Sequence, residues 1–204
     1  MSLHTDHRAL IGTAATIFFI LSIIIAVLPA FQAQKEAQKQ IQKQARKDAG
    51  KLPVAPDLAS LEASVAQGRA LYLKEGCGVC HTQFVRDLPM DAPYGRGSVA
   101  SDYALEDPPL LGTQRTGPDL SNVGVRQPSE IWNLIHLYNP RTVVPSSVMP
   151  GYPWYFIEKI SVSPDDTVVP VPDGFKPAGR AIVATEAAMD LVHYLQSLKQ
   201  VKLE

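Results

Sequence analysis

Cys77-Gly78-Val79-Cys80-His81 is the stretch of this chain best suited to chemistry. Two thiols three positions apart and an adjacent imidazole make a C-x-x-C-H run, the attachment pattern of a c-type haem. The spacing lets both thiols meet the vinyl groups on one porphyrin edge as thioethers. His81 is then left to turn its imidazole under the ring toward iron. A zinc site would need two further Cys or His ligands, and the chain has no other cysteine. A thioredoxin-like pair would need a βαβ setting, and a structural disulfide leaves His81 without a role. One covalent haem c on Cys77 and Cys80, with His81 on the iron, is the expectation.

A second iron ligand is expected from a methionine. Met90 follows His81 too closely to reach the far haem face, and Met189 sits in a helical pattern where core packing explains it. Met149 lies in the Pro-flanked run Pro145-Ser146-Ser147-Val148-Met149-Pro150, an extended loop suited to presenting a thioether from the opposite side. His136 and His193 are the fallback ligands, with His136 read as a hydrogen-bonded pocket residue on the same helix face as Trp132. Ligating histidines usually donate their other ring N–H to a carbonyl, which fixes ring orientation. The Pro118 carbonyl in Gly117-Pro118-Asp119-Leu120 is assigned that role, with Leu120 against the haem. Arg115 and Arg141 are expected near the haem edge, paired with propionates or with acidic groups of a partner, because a guanidinium fork binds carboxylates bidentately.

These groups need helices to hold them. Leu58–Lys74 places Leu61, Val65, Gly68, Leu71 and Tyr72 at three- and four-residue steps, and residues 187–199 do the same with Leu191, Tyr194, Leu195 and Leu198. Thr185 is a candidate N-cap for the second helix. Gly68 allows close approach, with Tyr72 packing on Leu191 or Tyr194. Residues 129–138 read as a further helix. Fourteen of the seventeen prolines fall between Pro89 and Pro177, so much of that region is expected as long extended loop, of the kind that is usually functional or partner-bound.

The rest of the chain is organised around a membrane. Residues 9–34 carry no charge, and 9–28 are almost wholly apolar, long enough to cross a hydrocarbon core of about 30 Å. The run exceeds the apolar region of a signal peptide and no Ala-x-Ala follows it, so an uncleaved signal anchor is expected. The division is 1–30 tail and anchor, 31–56 Gln/Lys-rich stalk, 57–204 haem domain. Residues 1–52 hold seven Lys/Arg against three Asp/Glu, and residues 53–204 hold twelve against seventeen. With a net charge of −1 there is no basic excess for nucleic acid. Six of the basic residues follow the span, so the loop-charge rule would put the head in the cytoplasm. Haem attachment happens on the outer side of the bacterial inner membrane, and this consideration overrides the charge rule.

Several runs together resemble the monohaem subunit II of cbb₃-type cytochrome c oxidases. They are Gly68-Arg69-Ala70-Leu71-Tyr72, Glu75-Gly76-Cys77 through Gln83, Val85-Arg86, Tyr94-Gly95, Arg115-Thr116-Gly117-Pro118-Asp119-Leu120, His136-Leu137-Tyr138-Asn139-Pro140-Arg141, and Val144-Pro145 through Trp154. Departures are Leu111-Gly112-Thr113-Gln114, where the family usually has Trp-Gly-Ser-Lys, the stalk, and the insertion 160–178. The resemblance implies a mainly α fold: one transmembrane helix and a class I cytochrome c-like domain with long Pro-rich loops. It implies electron relay from another cytochrome c, such as a dihaem subunit, to the b-type haems of a large haem–copper subunit, with the head in the periplasm. A calcium ion at the large-subunit interface belongs to the same expectation. No catalytic residue is expected, since iron held by His81 and Met149 has no vacancy for substrate. The cytochrome subunit of a nitric oxide reductase, a free-standing anchored shuttle and a haem-based sensor are the alternatives.

Overall fold

The computed structural model describes residues 7–29, 32, 35–36, 39, 58–104 and 106–200. The stalk expected over 31–56 therefore lies outside the described residues except at positions 32, 35, 36 and 39. The chain divides into two units, one of residues 1–53 with 99–109 and the other of residues 54–98 with 110–204.

In the first unit, the uncharged run forms an α-helix, His7–Ser22, continued by a π-helical turn, Ile23–Val27. Thr16 Oγ1 and Ser22 Oγ each return a hydrogen bond to the carbonyl four residues back, at 2.8 and 2.9 Å. Such bonds satisfy a hydroxyl where no water competes. His7–Ile25 is long and apolar enough to cross a membrane, and none of it is buried against protein. An apolar helix exposed all round fits a lipid environment.

The second unit is mostly helical. Helices Leu58–Lys74 and Glu186–Ser197 cross at Gly68, where a Cβ would land on the backbone carbonyl of Asp190. Tyr72 and Tyr194 meet edge to face at 5.4 Å, a geometry that suits aromatic quadrupoles. At the same crossing Ser64 Oγ donates to Asp190 Oδ1 at 2.5 Å and lies 2.8 Å from His193 Nδ1. Since the hydroxyl has one proton and gives it to the carboxylate, His193 Nδ1 is the donor to Ser64. That commits His193 to the crossing. Thr185 caps the last helix by accepting from the Ala188 N–H at 3.3 Å. Ser129 caps Glu130–Tyr138 in the same way through Trp132 N–H.

The expectation of extended loop through the Pro-rich region needs one correction. Phe156–Lys159, Val168–Val169 and Ala181–Ala184 form a three-stranded antiparallel sheet with Ala181–Ala184 in the middle. Phe156 stands opposite Ala184, and Val168 opposite Val183. Ile182 and Val183 of the central strand are buried, as are Val169 and Phe156 beside them. Part of the insertion 160–178 is thus sheet. One core joins Ile182, Val169 and Phe156 to Tyr72, Leu134, Leu137, Leu191 and Val192, and it carries the loops around His81.

Candidate functional site

The first long helix ends at Lys74. Gly76 then turns the chain with φ of +68°, a left-handed conformation open to glycine. Cys77–Val79 form one 3₁₀ turn, in which Cys80 N–H and His81 N–H both donate to the Cys77 carbonyl, at 3.2 and 3.0 Å. Both thiols are free. Cys77 is pushed up to about 11, by burial first and then by the Glu75 charge, so it is a protonated thiol at neutral pH. Cys80 is exposed.

His81 Nδ1 lies 2.8 Å from the Pro118 carbonyl oxygen. A carbonyl can only accept, so Nδ1 carries the proton and Nε2 the lone pair. Burial lowers the imidazole pKa, opposed by this hydrogen bond and by the Asp119 charge; the ring is neutral and able to bind a metal. Gly117 presses against it so closely that a Cβ there would fall on the ring. The approach is fixed by a ladder between residues 80–84 and 117–120. Gly117 N–H donates to the Cys80 carbonyl at 2.9 Å and Leu120 N–H to the Thr82 carbonyl at 2.7 Å. Leu120 is buried in the core.

Asp119 completes the ladder and is fully buried. Its carboxylate accepts from Thr82 Oγ1 at 2.6 Å and from the backbone N–H of Phe84 and Ser121, each at 2.8 Å. Arg115 stands beside it at 3.5 Å and ion-pairs with Asp91. Asp91 also accepts from Arg86 Nε and Nη2, both at 2.9 Å. Arg86 first, then Arg115, hold the Asp91 carboxyl far below the usual carboxylate range.

Arg115, expected near the haem edge, engages its guanidinium within the chain. Its Nε donates to Thr82 Oγ1 at 3.0 Å and its Nη2 to the Phe84 carbonyl at 2.8 Å, while Nη1 serves Asp91. Two buried carboxylates, Asp91 and Asp119, lie within its reach. Arg141 is exposed on the turn Pro140–Thr142, its backbone N–H donating to Asn139 Oδ1 at 3.2 Å.

Met149 is partly buried against the core, with its N–H donating to Ser147 Oγ at 3.2 Å. Met90 is 70% exposed and touches Arg86, and Met189 packs on the core. His136 stacks on Trp132 at 4.7 Å, and, contrary to the expected hydrogen-bonded residue, its Nδ1 is buried without a hydrogen-bond partner. Burial, then the nearby His81, push it down to about 4. Among the described residues no group of three or more His, Cys, Asp or Glu side chains could hold a metal ion; the expected calcium ion has no support.

Two free thiols and an imidazole with its lone pair at Nε2, delivered within one turn, fit a c-type haem. Sequence reasoning missed Asp91, Arg86, Thr82 and Asp119 as parts of this arrangement. Adjacency of Thr82 to His81 and of Asp119 to Pro118 was the available signal.

Comparison with known families gives one match: residues 6–171 match the family described as cytochrome c oxidase, mono-heme subunit/FixO. No curated protein matches the chain. The match takes in the apolar helix and the whole C-x-x-C-H region, and the chain belongs to this family.

Proposed function

We propose, from membership of this family and from the geometry around His81, that the chain relays electrons through one covalently bound haem c to the b-type haems of a large haem–copper subunit. Cys77 and Cys80 would hold the haem through their sulfurs, and His81 and Met149 would bind its iron. When bound, the haem supplies a single reversible electron at iron. Pro118 keeps the His81 ring oriented and its Nδ1 proton in place, which leaves the Nε2 lone pair as the one that would bind a metal. Leu120 and the core behind it exclude water, which limits reorganisation as charge changes. The head lies in the periplasm, anchored by the apolar helix in the bacterial inner membrane, and takes electrons from another cytochrome c. Oxygen reduction belongs to the large subunit, and this chain serves the complex as its electron-transfer subunit.

The observation that carries this reading is the 2.8 Å contact from His81 Nδ1 to Pro118, beside two free cysteines. It fixes which ring nitrogen is available for a metal. The test is affinity purification of the chain from membranes. A haem that survives denaturation on this chain, a copper-containing b-haem subunit that co-purifies, and oxidation of the c-haem by an oxygen pulse are expected. A copper-free acceptor, or covalent haem with no acceptor at all, would overturn it.

A further inference from the structure

Two buried acids, with Arg115 between them and the more exposed Arg86 at the rim, flank the proposed iron ligand. Asp119 touches no solvent, and Asp91 is 1% exposed. Arg115, 17% exposed at its side chain, stands between them. Arg86 closes the set on Asp91. Asp119 is tied to both strands of the ladder that positions His81. It follows Pro118, whose carbonyl accepts the hydrogen bond from His81 Nδ1–H, and its carboxylate holds Thr82, the residue after His81. Burying a carboxylate is costly unless it is paired and hydrogen-bonded. Backbone N–H and hydroxyl donors would satisfy a neutral acceptor as well, so the distinctive property of this group is its fixed charge.

We infer that Asp119 is a positioning residue which, through the His81–Pro118 contact and its buried negative charge, sets the reduction potential of the iron, with Arg115 as its counter-charge. The inference rests on the haem reading given above. A fixed negative charge near His81 favours the more positive, ferric state and lowers the potential; a fixed positive charge raises it. The two residues therefore oppose each other, and the potential reports their balance. Charge in a low-dielectric interior acts over longer distances than in water.

The test is a redox titration of the full-length chain in detergent, followed at the haem absorption band. Asp119→Asn, which keeps an acceptor but loses the charge, raises the midpoint. Arg115→Gln lowers it. Each shift is expected at about tenfold in the ferrous-to-ferric ratio at fixed potential, or about 59 mV for one electron. Arg115→Lys, which keeps the charge, titrates close to wild type, and the double variant Asp119→Asn/Arg115→Gln returns toward it. A purely structural role would move both single variants in the same direction, through exposure of the haem, and that result overturns the proposal. Unchanged midpoints overturn it as well. Should Asp119→Asn fail to accumulate, Arg115→Gln against Arg115→Lys decides alone: a drop confined to Gln supports the proposal, and equal midpoints overturn it. A wild-type chain without covalent haem would instead bring down the underlying reading, before any variant is titrated.

Discussion

Gly117→Ala is the sharpest perturbation of the His81 site. A Cβ at that position would stand 2.7 Å from Nδ1 and 2.8 Å from Nε2 of His81, and closer still to the carbon between them. Carbon atoms in ordinary contact sit at about 3.5–4.0 Å, so either the ring retreats or the 117–120 segment lifts. If the ring moves, the 2.8 Å bond to Pro118 stretches beyond the N–H···O range of about 2.7–3.2 Å. If the segment lifts, the ladder bonds from Gly117 to Cys80 and from Leu120 to Thr82 are lost. Overpacking costs about 1–3 kcal/mol and a lost hydrogen bond about 0.5–1.5 kcal/mol, so a destabilisation of about 2–4 kcal/mol is expected. Denaturant unfolding of the full-length chain in detergent measures it. The iron is affected too. Without a partner for Nδ1–H the imidazole is a weaker donor, ferric iron is less favoured, and the midpoint rises. Gly174→Ala, where a Cβ meets nothing within 4 Å, is the control. A Gly117→Ala protein with control-like stability and an unshifted midpoint would show that His81 does not lie against Gly117, and the site described here would fall with it.

Gly68→Ala should force the two long helices apart at Asp190, costing about 1–3 kcal/mol in denaturant unfolding; an unchanged unfolding midpoint would contradict the crossing. Met149→His should lower the iron midpoint, since thioether ligation raises it, whereas Met90→Leu should leave both midpoint and spectrum in place. Loss of the methionine–iron near-infrared band in Met90→Leu would refute Met149 as ligand. His136 has a folded pKa pushed down to about 4, against about 6.5 in the unfolded chain. The unfolded state therefore binds more protons in that window, so stability rises with pH from about 4 to about 6.5 and is fully present above, by a total of about 3 kcal/mol. Stability measured across that range should flatten in His136→Gln, and a slope that persists unchanged would assign it to another group.

Much of this architecture is legible along the chain, because the signals are local and periodic. The uncharged run from residue 9 gives the apolar helix. The three- and four-residue steps through Leu61, Val65, Gly68, Leu71 and Tyr72 give the 58–74 helix. Thr185 announces a helix start, since a hydroxyl before a helical run can accept from its first free N–H groups. Gly68 can be read as a crossing point because only a missing Cβ lets two backbones meet there. The cysteine and histidine spacing fixes the chemistry through covalent geometry alone, since the reach of a single turn does not depend on the rest of the fold.

The direction of Arg115 was decided only by tertiary structure. In sequence it is an arginine beside Gly-Pro, equally fit for a propionate, a partner or solvent. Its actual partners, Asp91 and Thr82, lie 24 and 33 residues away, and no periodicity links them. Only the path of the 84–98 segment brings Asp91 into the interior, where a carboxylate without a cation would be prohibitive. The sheet has the same origin. Val168–Val169 is two residues long, too short to show alternation, and becomes a strand because Ala181–Ala184 supplies its hydrogen bonds. Helix contacts recur within a turn and are written in the sequence; charge pairing and strand pairing are closed by distant segments, and the energy that selects them exists only once the chain has folded.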